Sequence, residues 1–100
     1  MDTATLKQIL KQEMSQYAKH GLNAYSYLTI SEDETLYAVI DIALIRGKQV
    51  VGAVLVARVA DEMIYIDLDL NDKLLVDALL ARGIPENRVI LTYLKETVSL

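Results

Sequence analysis

The sequence predicts an α+β domain in two layers, in the order helix, four-stranded antiparallel meander, helix, strand. Three observations predict this fold. Apolar residues recur at helical spacing before residue 21, alternate with a period of two from residue 24 to residue 70, and are then followed by a capped helix with a complete stop. One hundred residues suffice for one core, so we expect a single domain over residues 1–100.

The first helix is predicted over residues 3–20. Its apolar positions share one helical stripe, namely Leu6, Ile9, Leu10, Met14 and Tyr17. Asp2 or Thr3 can accept hydrogen bonds from the first free amides, and Gly21 follows the last periodic residue.

Four strands are predicted over residues 24–30, 35–45, 49–59 and 63–70. The segments between them are short and polar, which is typical of hairpins. Consecutive strands with short connections form an antiparallel meander.

A second helix is predicted after the meander, with Asn71 or Asp72 as its cap. Its apolar positions are Leu74, Leu75, Val76, Ala78 and Leu79. Gly83 can adopt the left-handed conformation, Ile84 can fold back on the helix, and Pro85 forbids continuation. A fifth strand is predicted over residues 89–93, and the tail from residue 95 has no periodic pattern.

Composition limits the function classes. There are no cysteines, which excludes disulfides and thiolate chemistry, and no cofactor motif is present. We expect a cytoplasmic protein with no membrane segment, because the amino terminus lacks a signal pattern and the longest apolar run, residues 50–57, cannot cross a bilayer. A net charge of −4 disfavours direct binding to nucleic acid, so nucleic acid is expected only as an indirect partner.

Both faces of the predicted meander are apolar, and 53% of all residues are hydrophobic. Two helices of this length cover one face of a sheet, so we predict that the other face is an association surface and forms a homodimer. The residues predicted for this surface are Tyr37, Val39, Asp41, Val51, Ala53 and Leu55. The alternative is that the sheet curls strongly or that the C-terminal tail folds over this face.

The segment from residue 64 to residue 93 resembles the XisI family, small cyanobacterial factors associated with control of fdxN element excision. The resemblance rests on Ile64, Tyr65, Ile66, Asp72, Leu79, Gly83, Ile84, Pro85, Val89, Ile90 and Leu91. Tyr65 stands where the family usually has Trp, Tyr93 stands where it has Phe, and residues 94–97 replace a Phe-His-Pro-Pro segment.

The resemblance implies the same order of elements, no established catalytic residues and no cofactor. Family members are encoded beside XisH, which is similar to nuclease-fold proteins, and act with a site-specific recombinase. The resemblance therefore implies a non-enzymatic accessory or regulatory protein of DNA rearrangement that binds an XisH-like partner. The alternatives are an antitoxin-like inhibitor of a nuclease-fold partner and a weak DNA-binding accessory factor.

Few residues suggest chemistry of their own. His20, the only histidine, has no nucleophile or acid at a diagnostic spacing, so a surface or capping role is favoured. Asp67, Asp69 and Asn71 begin like a calcium loop, but residue 72 is Asp where Gly is required, and alternating acids before a helix cap explain the same pattern. No metal site is predicted.

The charged and aromatic residues can be explained by their places in the predicted fold. Lys7, Lys11 and Lys19 form one helical stripe that is diluted by acids, which favours a solvated face over a phosphate contact. The strand tyrosines are favoured in any sheet, so they do not indicate base stacking. Asp41 lies in an apolar row, where it pairs with Arg58, meets a partner's base or stays in water.

Overall fold

The computed structural model describes residues 1–94 as two helices on one five-stranded sheet. The elements are α1 (Thr3–Ser15), β1 (Ala24–Ile30), β2 (Leu36–Ile45), β3 (Lys48–Ala60), β4 (Met63–Asp69), α2 (Leu75–Ala81) and β5 (Val89–Leu91), with 3-10 turns at Glu86–Arg88 and Thr92–Leu94. The predicted α+β class and element order are confirmed. The prediction for the tail lies outside the described residues.

The five strands lie in the sheet in their sequence order. The first four pair antiparallel, and β5 pairs parallel with β4 through Ile64↔Val89 and Ile66↔Leu91. A parallel pair needs a crossover, and α2 supplies it. The sheet is therefore a meander with one parallel edge strand.

Both helices pack on the same face of the sheet, which we name the inner face. The buried cluster combines Leu6, Leu10 and Met14 of α1 and Leu75 and Leu79 of α2 with Tyr37, Val39, Leu55, Ala57, Val59, Ile64 and Ile66 of the strands. Each fully buried large aliphatic side chain contributes about 1.5–3 kcal/mol through burial. The core thus fills the space between the helices and one half of the sheet.

The first helix is shorter than predicted. Asp2 is the expected cap, since its Oδ1 accepts a hydrogen bond from the Thr5 amide at 2.8 Å. The helix ends at Ser15, whose hydroxyl donates to the Gln12 carbonyl at 2.7 Å and so competes with the helical hydrogen bonds. Tyr17 still packs on the core. His20 lies beyond the end of the helix and forms an isolated antiparallel β-bridge with Tyr25 of β1.

The second helix is capped by a residue other than the predicted one. Leu74 occupies the cap position without a side-chain bond, and Asp69 at the end of β4 accepts a hydrogen bond from the Leu75 amide at 2.8 Å. The predicted stop is confirmed, because Gly83 has φ +91°, the Ile84 amide bonds the Leu79 carbonyl at 3.2 Å, and Ile84 is buried.

Two tight turns and two bulges shape the meander. Arg46-Gly47 and Asp61-Glu62 both have positive φ at two successive residues, the geometry that fits hairpins to the twist of the strands. The register of β2 against β3 shifts between Val39 and Ile40, and that of β3 against β4 shifts between Val56 and Ala57. Each shift adds one residue to one strand and changes which side chains share a face.

Candidate interaction surface

The face of the sheet opposite both helices, which we name the outer face, is lined mainly by apolar side chains. It carries Tyr25, Tyr27, Leu36, Ala38, Ile40, Ile42, Leu44, Val51, Ala53, Val56, Tyr65 and Leu68. Neither α1 nor α2 packs on it. Tyr25, Tyr27, Leu44 and Val51 remain about half exposed, and Val51 reaches 56%.

The prediction that six named residues form one uncovered face is wrong. Tyr37, Val39 and Leu55 are at most 1% exposed, because they lie on the inner face under the helices. Asp41 shares that face but lies beyond the helices.

Val51 and Ala53 lie on the outer face instead, because β3 has an extra residue, Val54, between the pairs Val39↔Leu55 and Ile40↔Ala53. One extra residue reverses the alternation of every side chain beyond it. The two rows of β2 are equally apolar, so the sequence pattern could not choose between the faces.

An aromatic cluster occupies the β1 end of the outer face. The His20 ring meets Tyr25 and Tyr27 edge-on, with ring centroids 5.3 Å apart in both pairs. The bridge between His20 and Tyr25 holds the histidine against the strand. His20 therefore supports two exposed tyrosines, a role that its sequence neighbours did not indicate.

A charged cluster lies at the β4 side of the same face. Arg58 donates two hydrogen bonds to Asp67, at 2.5 Å from Nε and 3.1 Å from Nη2, and its guanidinium lies 5.0 Å above the Tyr65 ring. The Thr92 hydroxyl lies within hydrogen-bond distance of both Asp67 Oδ1 and the Ile66 carbonyl, which share its single hydrogen. The Arg58 guanidinium, with the Thr92 hydroxyl, lowers the pKa of Asp67 below its ordinary value.

The alternative in which Asp41 pairs with Arg58 is wrong. Asp41 accepts a hydrogen bond from the Ser26 hydroxyl at 2.6 Å on the inner face, and Arg58 pairs with Asp67. Asp67 is the extra residue at the second bulge, between Ile66 and Leu68, which turns its carboxylate toward Arg58. Sequence reasoning missed this cluster, because residues 64–68 alternate regularly between aliphatic and other side chains and so give no sign of the bulge.

The residues of the calcium-like segment have structural contacts. Asp67 is engaged by Arg58, and Asp69 accepts hydrogen bonds from the Asn71 amide at 3.0 Å, from Asn71 Nδ2 at 2.9 Å and from the Leu75 amide. Within residues 1–94, no three His, Cys, Asp or Glu side chains come together as a metal site.

The three lysines of the predicted stripe are divided between two clefts, because α1 ends before Lys19. Lys7 and Lys11 line one cleft with Glu34 and Tyr37, and the Lys7 amine donates to the Asp33 carbonyl at 3.5 Å. Lys19 lines the other cleft, beside Glu13 and Asp72. Acidic side chains thus accompany the lysines in both places. Among residues 1–94, no helix is long and apolar enough to span a bilayer.

Together, the fold and this surface define a small two-layer α+β domain with an open, apolar sheet face. Comparison with known proteins identifies its family. The sequence model of the family described as XisI protein matches residues 1–99, so the chain belongs to the XisI family. The resemblance seen in residues 64–93, including Ile64, Tyr65, Ile66, Gly83, Ile84 and Pro85, is thereby confirmed at the level of the family.

Two solved structures from Anabaena variabilis share the fold. A XisI-like protein superposes with a TM-score of 0.81 at 15% identity, covering 91% of this chain and 86% of the other. The fdxN element excision controlling factor XisI superposes with a TM-score of 0.61 at 24% identity, covering 90% of this chain and 86% of the other. No curated protein matches the sequence significantly.

Proposed function

We propose that this protein is a non-enzymatic accessory factor in the controlled excision of a DNA element, and that it acts in the cytoplasm by binding an XisH-like protein. Membership of the XisI family and the fold shared with an fdxN element excision controlling factor support this proposal. The observation that carries it is the outer face, since a large exposed apolar patch marks a binding site for another protein.

The size of the outer face supports a stable complex. Four strands at about 4.8 Å spacing, each contributing several residues of about 3.4 Å, give a footprint on the order of 400 Å² before side-chain relief is added. A standard interface buries about 800 Å² on each partner, which is of the same order. The outer face can therefore form most of one specific interface.

The composition of this face also suits protein binding. Tyrosine and arginine dominate the energetics of protein interfaces, and the outer face presents Tyr25, Tyr27, Tyr65 and Arg58. The charge of Arg58 is already balanced by Asp67, so an apolar partner surface can cover both without leaving an unpaired ion.

The titratable side chains support a non-enzymatic role. Asp67 binds Arg58, Asp69 holds the start of α2, and Glu13 pairs with Arg82 at 2.6 Å between the helices. Each of these groups stabilises the fold, and His20 packs on tyrosines. We therefore assign the function to the surface and not to a reaction.

Co-purification with the XisH-like product of a neighbouring gene tests the proposal. We expect a complex of fixed stoichiometry by size-exclusion chromatography with light scattering. Val51→Glu should abolish the complex, because it places a charge among the exposed apolar side chains of the outer face. Leu80→Glu is the control, since Leu80 is also an exposed apolar residue, at 37%, but lies on α2 and belongs to neither face of the sheet.

Four outcomes bear on the proposal. Loss of the complex with Val51→Glu alone supports it, and a complex that survives Val51→Glu overturns the assignment of the outer face. If the partner cleaves DNA and the complex does not, the antitoxin-like alternative replaces the accessory role. Salt-sensitive retention of the free chain on DNA that Lys7→Gln and Lys11→Gln remove would favour direct DNA binding instead.

A further inference from the structure

The hairpin of β2 and β3 extends past the helix layer. Pairing of β3 with β4 stops at Leu55↔Asp69, whereas β3 continues along β2 to Ile45↔Lys48. We name residues 40–53 the arm. Its inner face continues the face that the helices cover elsewhere, but here the side chains are open to solvent.

We name this open inner face of the arm, together with the β1 residues beside it, the arm floor. It consists of Ala24, Ser26, Asp41, Ala43, Ile45, Lys48, Val50 and Gly52. Ile45 is 53% exposed and Val50 is 49% exposed. A Cβ atom added at Gly52 would meet no atom within 4 Å, so there is open space above this glycine, directly beside Asp41.

The arm floor carries one charge of each sign at its two ends. Asp41 pairs with Gly52 at the base, Lys48 pairs with Ile45 at the tip, and the Ala43↔Val50 pair lies between them. Four residues of strand separate the two rows, which is roughly 13 Å. Neither Asp41 nor Lys48 has an ion-pair partner within residues 1–94, where the ion pairs are Arg58 with Asp67 and Arg82 with Glu13.

We propose that the arm floor binds the arm floor of a second copy of this chain. A two-fold axis across the strands at the Ala43↔Val50 row places the tip of each arm over the base of the other. Lys48 of each copy then passes over Gly52 of the other copy, where no side chain obstructs it, and reaches Asp41. The result is two equivalent ion pairs flanking a strip formed by Ala43, Ile45 and Val50.

Charge complementarity is the reason for choosing a second copy as the occupant. The surface carries both signs at positions that a two-fold axis exchanges, so it is complementary to itself. Covering Asp41 with an apolar surface would leave its charge without a partner, whereas the inverted arm floor supplies an amine there. The bond from Ser26 satisfies one carboxylate oxygen and leaves the other available.

The end of the helix layer extends this interface. The Leu70 amide and Asn71 Nδ2 both bond to the Val54 carbonyl, at 2.9 Å and 3.3 Å, which fixes the segment after β4 beside the base of the arm. Leu70 is 67% exposed there, and Asp72 lies two residues further along the chain. The arm tip of the second copy, which carries Arg46, would meet this acidic and apolar edge.

The size of the contact sets its strength. Three strands over five residues give a footprint of roughly 200–300 Å² for each arm floor, to which the tip contact adds. This places the dimer among the small interfaces, below about 1,200 Å² in total, which are typical of weak association. The dimer should therefore depend on concentration, and it leaves the outer face free for the partner proposed above.

Reversing the charge at residue 41 or residue 48 tests the proposal. Asp41→Lys and Lys48→Asp each place like charges opposite one another at both ends of the contact. Either variant should raise the dissociation constant at least about 100-fold, measured by sedimentation or light scattering up to about 300 µM. An equimolar mixture of the two variants should dimerise again, because opposite charges then meet at both ends. Lys11→Asp is the control for Lys48→Asp, since it makes the same charge change on α1, away from the arm floor.

The mixture also controls for misfolding, because an unfolded variant cannot be rescued by a second one. A wild-type chain that stays at 11.2 kDa over this range overturns the proposal. So does a dimer that ignores both substitutions, which would indicate pairing along the free edge of β3, or a mixture that stays monomeric. These measurements need no partner protein, so their failure is separate from failure of the proposed function.

Discussion

The covered half of the sheet and the arm are built from the same residue types but differ in exposure. Val39 and Leu55 are fully buried under the helices, whereas Val50 and Ile45, a few residues further along the same two strands, are about half exposed. The strands are longer than the helix layer. Both β3 and α1 have 13 residues, but a strand rises about 3.3 Å per residue and a helix only about 1.5 Å, and α2 has only seven residues. Apolar alternation thus reports that a surface will be covered, but not by which molecule.

The largest expected effect is a loss of stability on substitution in the covered half of the sheet. Leu55→Ala should lower the free energy of unfolding by about 2–5 kcal/mol, because it leaves a cavity among Val39, Ile66 and the helices. Val51→Ala, on the same strand but exposed, should change it by less than about 0.5 kcal/mol. Urea unfolding followed by circular dichroism measures both. Similar losses for the two variants would contradict the assignment of the faces.

A smaller effect is expected at the junction between the two halves. Asp69→Ala should destabilise the protein by about 1 kcal/mol, because it removes the side-chain acceptor for the Leu75 amide at the start of α2. Asp72→Ala is the matched control and should have little effect, since its side chain makes no hydrogen bond within residues 1–94. Thermal melts of the two variants compare them directly. A larger loss at residue 72 would restore the cap that the sequence predicts.

The smallest expected effect is a pH dependence of stability, which arises from the Arg58–Asp67 pair on the outer face. Because the bond from Arg58 lowers the pKa of Asp67 in the folded state, the pair adds stability above the unfolded pKa of about 3.9. This contribution is lost as the pH falls through the lower, folded pKa. It should amount to less than about 1 kcal/mol, since Arg58 is largely exposed.

Asp67→Asn tests this pH dependence. The difference in unfolding free energy between wild type and variant should be present at pH 7 and shrink as the pH falls below about 4. A difference that is constant over this range would mean that the carboxylate charge contributes nothing.

The sequence predicted the order of elements because each of its signals is local. Gly83, Ile84 and Pro85 end α2 wherever the helix packs, and the polar turns of the meander define hairpins without reference to the core. The family membership of residues 64–93 was visible for the same reason. These features require only neighbouring residues.

The faces of the sheet could not be predicted in the same way. The bulges at Val54 and Asp67 depend on how neighbouring strands fit together, and one inserted residue moved Val51 and Ala53 away from Leu55. The cap of α2 was missed because Asp69 lies six residues before Leu75, at the end of a strand. Arg58, Asp67 and the His20 cluster likewise come together through pairing and not through spacing.

The parallel pairing of β4 with β5 determines when during synthesis the core can close. The antiparallel hairpins form from neighbouring segments, but β5 can join only after α2 has crossed the sheet. Arg88, just before β5, donates hydrogen bonds to the Met1 and Glu62 carbonyls, both at 2.7 Å, so the first residue is fixed almost last. Until then the nascent sheet exposes two apolar faces, and slow translation of the last third would favour aggregation of the emerging chain.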